Sequence, residues 1–163
     1  MRWNKQIVQA IILILLQVFL FNHLQIAGWG FPMVYVLILM NLPAHTPRFV
    51  EMLLGAIIGL LLDIFNTSLG VNMAACIAFS FFRPIILDRI VQDLERVNGE
   101  VCIRSIGAIE YIKSLVLLTV FHHLMVFMLE AWSLHNWWMI IIQTLLSSIM
   151  TISIIIGYDI LKQ

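Results

Sequence analysis

Asp63 is the residue of this sequence best placed for chemistry, because it lies in an otherwise apolar segment. Gly55 and Gly59 precede it at intervals of four residues, so a helix would place all three on one face. A carboxylate in such a place can accept hydrogen bonds, bind a substrate or transfer a proton. We expect a structural acid that fixes helix register. A substrate or proton site and a contact with a partner protein are the alternatives.

The predicted position of Asp63 requires compensation, because a negative charge near the C-terminal end of a helix opposes the helix dipole. Several polar residues are expected on the same side of the molecule. They form a polar outer cluster of Asn22, His23, Asn66 and Asn72, with Thr67 and Ser68 in the intervening turn.

Gly55 and Gly59 form a GxxxG motif, which lets two helix backbones approach closely inside a membrane. We expect the motif to serve packing within the chain, with a homodimer or a partner helix as the alternative. Replacement of Gly59 by leucine should therefore lower the yield of folded protein.

Two adjacent histidines, His122 and His123, suggest a metal site that helix geometry disfavours. Neighbouring helix residues point about 100° apart, so this pair cannot chelate one ion. We expect His122 to face the protein interior as a packing residue. In the last apolar segment, Gln143, Ser147 and Thr151 form a polar face suited to interhelical hydrogen bonds of about 0.6 kcal/mol each.

Motifs for catalysis, such as GxSxG, HExxH, CxxC or a phosphate-binding loop, do not occur in the sequence. We therefore expect a protein that is not an enzyme and that uses no cofactor or metal. Cys76 and Cys102 are expected to be free thiols.

The composition is that of a helical membrane protein. Of the 163 residues, 62% are hydrophobic and 11% are charged, and the mean hydropathy is +1.02. Soluble domains are about 45–50% apolar and about 25% charged. The continuous apolar runs also differ from the alternating strands of a membrane barrel. A formal net charge of zero gives no reason to expect a nucleic-acid partner.

The apolar segments predict a single all-α domain, a bundle of six transmembrane helices, since a span needs about 20 apolar residues. The second span is short and is bracketed by Pro32 and Pro43. The longest connection, 88–108, is expected to contain a cytoplasmic amphipathic helix up to Val97. The predicted spans are 6–26, 30–44, 50–66, 69–87, 109–130 and 137–160.

The positive charges support an even number of crossings. All nine lysines and arginines lie at the termini or in and beside the second and fourth connections. Positive residues remain cytoplasmic, so both termini are predicted to be cytoplasmic. Removal of the second span would invert every later segment, and this is why we retain it.

The chain resembles the bacterial rod-shape-determining MreD family. The resemblance rests on a third span of the form Gly-Ala-Ile-Ile-Gly-Leu-Leu-Leu-Asp at 55–63, on Leu69-Gly70, and on Arg83-Pro84. Segment 32–43, with Pro-Met-Val-Tyr at its start and Leu-Met-Asn-Leu-Pro at its end, also fits. The resemblance covers nearly the whole chain, and its informative part is 30–84.

This resemblance implies a non-enzymatic subunit of the cell-elongation machinery in the bacterial inner membrane. Members of the family associate with MreC, a single-span protein, and through it with the MreB cytoskeleton, the RodA glycosyltransferase and its partner transpeptidase. The family is similar in fold to the six-span substrate-binding subunits of energy-coupling-factor vitamin transporters. No catalytic residues follow from it.

The sequence is also compatible with two other functions. A vitamin-binding transport subunit would use Asn22, Asp63, Asn66, Asn72 and His122 to line an outward-facing pocket. An ion or proton pathway would need a second intramembrane charge beside Asp63. Homo-oligomerisation is compatible with all of these functions.

Overall fold

A computed structural model describes residues 3–24, 30–131 and 136–161, with side chains from residue 7 onward except that of His23. Short 3-10 turns occur at Phe21–His23 and Leu94–Arg96. Within these ranges the chain has no strand, and Pro43 and Glu100 form an isolated antiparallel bridge. The helices are α1 (Trp3–Phe19), α2 (Val36–Met40), α3 (Arg48–Asn66), α4 (Val71–Ile90), α5 (Ile103–Ile106), α6 (Ala108–Ala131) and α7 (Trp137–Leu161).

Four of these helices, α3, α4, α6 and α7, are long and apolar enough to cross a membrane. The apolar part of α1, Ile7–Phe19, is shorter. The expectation of an all-α, multi-pass membrane protein is therefore confirmed. Helix α4 packs between α3 and α6, α7 packs against α6, and α1 packs against α2 and α3.

The second predicted span, 30–44, is not a membrane-spanning helix. Its only α-helix in the structure is α2, whose five residues extend about 7.5 Å, against a hydrocarbon thickness of about 30 Å. The segment is nonetheless almost completely buried from Met33 to Met40. Irregular backbone at membrane depth is tolerated where protein surrounds it, and this is the situation here.

Segment 30–44, which we call the irregular segment, still carries the chain across the molecule. The side-chain amide of Asn22, just after α1, donates to that of Asn66 at the end of α3 (2.6 Å), so α1 and α3 end on the same side. The chain between them must return to the opposite side. We call the side where α3 begins and α4 ends the inner end, and the other side the outer end.

The connection after α4 differs from the amphipathic helix expected up to Val97. Helix α4 ends at Ile90, and a 3-10 turn and extended residues follow. The connection instead pairs with the chain after α2, since the amide of Ala44 donates to the carbonyl of Gly99 (2.9 Å). Gly99 has φ +117°, which residues with a Cβ rarely adopt. The exposed side chains of Asp93 and Arg96 form an ion pair at 3.6 Å.

Candidate functional site

The GxxxG face of α3 is in direct contact with the backbone of α4. A Cβ atom on Gly55 would lie 2.7 Å from the carbonyl oxygen of Cys76, and one on Gly59 would lie 2.4 Å from Cα of Met73. Both distances are shorter than a carbon side chain allows. The motif therefore packs within the chain, and its face is covered by α4.

Asp63 holds the start of α4. Its side chain is 4% exposed, and its carboxylate accepts the backbone amides of Asn72 and Met73, both at 2.9 Å. It also accepts the Asn72 side-chain amide at 3.0 Å and the Ser68 hydroxyl at 2.5 Å. The first amides of a helix lack partners within it and form its positive end. The acid at the end of α3 thus serves as the N-terminal cap of α4.

The hydrogen bonds continue from Asn72 into the centre of the molecule. Asn72 Oδ1 accepts a hydrogen bond from the hydroxyl of Tyr35 (3.1 Å), and the same hydroxyl oxygen lies 2.9 Å from Nε2 of His122. Because Asn72 uses its amide nitrogen on Asp63, its oxygen must be the acceptor, so Tyr35 donates to it. His122 must then donate from Nε2. We call Asp63, Ser68, Asn72, Tyr35 and His122 the outer network.

The rest of the predicted outer cluster forms a separate group. Asn22 and Asn66 bond to each other, and Gln17 donates to Asn22 at 3.0 Å. The side chain of His23 lies outside the described part of the chain. The structure therefore divides the cluster into an asparagine pair and the outer network.

The polar face of α7 supports the irregular segment. Ser147 Oγ accepts the amide of Phe31 (3.2 Å), and Thr151 Oγ1 accepts that of Met33 (2.9 Å). From the other side, Gln17 Oε1 of α1 accepts the amide of Val34 (2.8 Å). We expected bonds between helices, but these side chains replace the missing helical partners of the segment's backbone.

Other polar groups near this face have different partners. His123 is buried, with Nδ1 2.8 Å from the carbonyl of Thr119 and Nε2 3.2 Å from Oγ1 of Thr151. Gln143 is half-buried on α7. The two adjacent histidines therefore have separate hydrogen-bond partners.

A buried ion pair between Glu51 and Arg83 was not predicted from the sequence. Both side chains are completely buried, and Nη1 of Arg83 donates to Oε1 of Glu51. Nη2 of Arg83 donates to the carbonyls of Met40 (3.0 Å) and Leu42 (2.5 Å) at the end of α2. A carboxylate and two carbonyls thus surround one guanidinium. The sequence signal was that Glu51 continues the four-residue spacing of Gly55, Gly59 and Asp63.

These buried polar groups hold the protein together instead of lining an open pocket. Among residues 3–24, 30–131 and 136–161, no group of three or more acidic, histidine or cysteine side chains is placed to bind a metal ion. Of the residues expected to line a vitamin pocket, Asp63, Asn72 and His122 join one hydrogen-bonded chain. A cavity of about 60 Å³ lies elsewhere, near the inner end.

Comparison with known proteins does not identify a family. No protein-family model, no curated protein and no solved structure matches the chain.

Proposed function

We propose that this multi-pass membrane protein is a non-enzymatic subunit of the cell-elongation complex in the bacterial inner membrane. In this role it binds an MreC-like single-span protein. Through that partner it helps to couple the MreB cytoskeleton, RodA and its transpeptidase to peptidoglycan synthesis and cell shape. The proposal rests on the resemblance of segment 30–84 to the MreD family.

The observation that carries the proposal is the position of the residues that make this resemblance. Gly55 and Gly59 lie at the contact between α3 and α4, Asp63 caps α4, and Arg83 fixes the end of α2. The motif residues therefore maintain one arrangement of helices. Such a use of polar residues suits a scaffold, whose task is to present a fixed surface to a partner.

The partner must bind a face other than the GxxxG face, because α4 covers that face. Helix α3 presents Leu53, Ile57 and Ile64 to its surroundings, and α7 presents Leu145 and Ile149. In a membrane these side chains face lipid or another helix. Since apolar contact with a helix gains little over contact with lipid, close packing must supply the affinity.

The test is photo-crosslinking in native membranes, combined with purification of the full chain. A photoreactive residue is placed singly at Ile57, Ile64, Leu145 or Ile149, and at Gln92 in the exposed connection after α4 as a control. We expect at least one helix position to capture an MreC-like protein, and the wild-type chain to copurify with it. Failure of both measurements contradicts the proposal. A copurified vitamin would favour the transport subunit, and capture of a second copy of the chain would reveal a homo-oligomer.

A further inference from the structure

The acceptors around the side chain of Arg83 are arranged for a guanidinium group and not simply for a positive charge. Nη1 donates to Oε1 of Glu51, and Nη2 donates to the carbonyls of Met40 (3.0 Å) and Leu42 (2.5 Å). Nε also donates to the carbonyl of Met40, at 3.2 Å. All three nitrogens of one planar group are therefore bonded. An ammonium group carries its hydrogens on a single nitrogen, so it cannot take the place of three.

The two carbonyls are held in place by contacts that do not involve the arginine. The carbonyl of Leu42 also accepts the amide of Val101 (3.4 Å), and the amide of Ala44 donates to the carbonyl of Gly99 (2.9 Å). On the opposite wall, the close contact between α3 and α4 is made by the GxxxG motif. The acceptors should therefore keep their positions when the arginine side chain is shortened.

Glu51 has an acceptor oxygen that Arg83 leaves unused. The Glu51 side chain is completely buried, and its Oε2 has no hydrogen-bond partner among the described residues. A carboxylate can accept two parallel N–H groups from one guanidinium. Arg83 bonds only Oε1, because its other nitrogens reach the two carbonyls. A free guanidinium ion is not attached to α4, so it can engage both oxygens.

The acceptors lie close to the inner end. Glu51 is three residues after the first residue of α3, a rise of about 4.5 Å. Leu42 is half-buried. A small ion therefore has a short path from the inner end to the acceptors.

We propose that Glu51 and the carbonyls of Met40 and Leu42 form a guanidinium-selective binding site, in which Arg83 is the built-in ligand. In the variant Arg83→Ala the same acceptors should bind free guanidinium, because a buried carboxylate without a partner is strongly destabilising. The bound ion should restore the position of the end of α2. Arg83→Lys should restore little, since lysine supplies a charge without the planar set of donors. This inference is independent of the proposed function.

The experiment is a measurement of the melting temperature of the full chain in a non-ionic detergent. Guanidinium chloride is added at millimolar concentrations, far below the molar range in which it denatures proteins, and ammonium chloride is the comparison. We expect Arg83→Ala to melt below the wild-type chain. Guanidinium, and not ammonium, should recover about half of the loss, because a ligand that binds only the folded state stabilises it. The wild-type chain and Arg89→Ala, at an exposed position of the same helix, should show no such recovery.

Hydrogen exchange locates the effect of the ion. In Arg83→Ala, guanidinium should slow exchange in the peptide that contains α2, Val36–Met40. The double variant of Glu51→Gln and Arg83→Ala should need about tenfold more guanidinium for the same effect, because a charge-assisted hydrogen bond is lost. An unchanged requirement would overturn the part assigned to the carboxylate.

Three other results would overturn the proposal. The first is equal recovery of Arg83→Ala by guanidinium and ammonium, or no recovery by guanidinium. The second is wild-type stability of Arg83→Lys, which would show that a charge alone is sufficient. The third is failure of Arg83→Ala to fold even when it is produced and purified in guanidinium, since the acceptors would then not persist without the arginine.

Discussion

A charged residue inside a membrane helix is stable only where other groups replace the water that it loses. An acidic or basic side chain at the centre of such a helix costs about 2.5–3.5 kcal/mol in insertion measurements. Asp63 is compensated by four donors from the turn and from α4. Arg83 is compensated by one carboxylate and two carbonyls. At this scale both residues act as connectors between helices.

Asp63→Asn should destabilise the protein by about 1–3 kcal/mol, the cost of leaving a buried polar group unpaired. Oδ1 of Asp63 accepts three of the four donors, and Oδ2 accepts the amide of Met73. If Oδ1 keeps its three bonds, an asparagine directs a donor at the Met73 amide. The measurement is the midpoint of SDS unfolding of the full chain in detergent. Asp88→Asn, at an exposed acid, is the matched control, and equal midpoints for the two variants would contradict the capping role.

Arg83→Met should destabilise the protein more than Asp63→Asn does. We expect a total loss of about 3–5 kcal/mol in the free energy of unfolding, because the variant leaves the carboxylate of Glu51 buried without its partner. It also removes the donors to Met40 and Leu42, so the end of α2 should become protease-sensitive. Glu51→Gln should be milder, since Arg83 keeps both carbonyls. Arg89→Met, at an exposed position of the same helix, should have little effect. An order of severity in which Glu51→Gln exceeds Arg83→Met would refute the role assigned to the carbonyl contacts.

At the scale of elements, the long helices were predictable from apolar length alone. The spans expected at 50–66 and 109–130 correspond to Arg48–Asn66 and Ala108–Ala131. Segment 30–44 was not predictable in the same way, because hydropathy does not distinguish a residue facing lipid from one enclosed by protein. The acceptors that replace its helical hydrogen bonds lie far away in the sequence, on Gln17, Ser147 and Thr151.

The outer network and the ion pair between Glu51 and Arg83 were predictable to different degrees. Ser68 and Asn72 lie within nine residues of Asp63, so local spacing brought them to attention. Tyr35 joins them from 37 residues away from Asn72, and Arg83 is 32 residues from Glu51. Pairings of this kind depend on how the helices pack, and a single sequence does not contain that information in readable form.

Gly59→Ala and Gly157→Ala should have opposite effects, although both replace a helical glycine. A Cβ at position 59 would overlap the backbone of α4 at 2.4 Å, whereas one at position 157 meets no atom within 4 Å. Overpacking costs about 1–3 kcal/mol, and an unhindered alanine gains about 0.5–1 kcal/mol over glycine in a helix. We expect a lower SDS unfolding midpoint for the first variant and an equal or higher one for the second. An equal loss of stability in both variants would contradict the role assigned to the contact between Gly59 and α4.

At the scale of the whole molecule, a segment that is mostly not helical leads from the outer end back to the start of α3. The hydrogen bond between Asn22 and Asn66 places the ends of α1 and α3 together. The contacts of Arg83 place the end of α2 beside the start of α3. A chain that returns between these two points must cross the molecule. The distribution of basic residues therefore remains consistent with the geometry although the second spanning helix is not formed.

The crossing of α4, which separates the outer turn from the inner connection, predicts that Leu69 and Cys102 lie on opposite sides of the membrane. Leu69 is 90% exposed in the outer turn, and Cys102 is half-buried in the inner connection, whereas Cys76 is buried. In intact cells a membrane-impermeant maleimide should label the variant Leu69→Cys with Cys102→Ser. It should label the wild-type chain only after permeabilisation, because the basic residues predict that the inner connection is cytoplasmic. Labelling of both proteins in intact cells would place the two positions on one side, and would show that α4 does not cross the membrane.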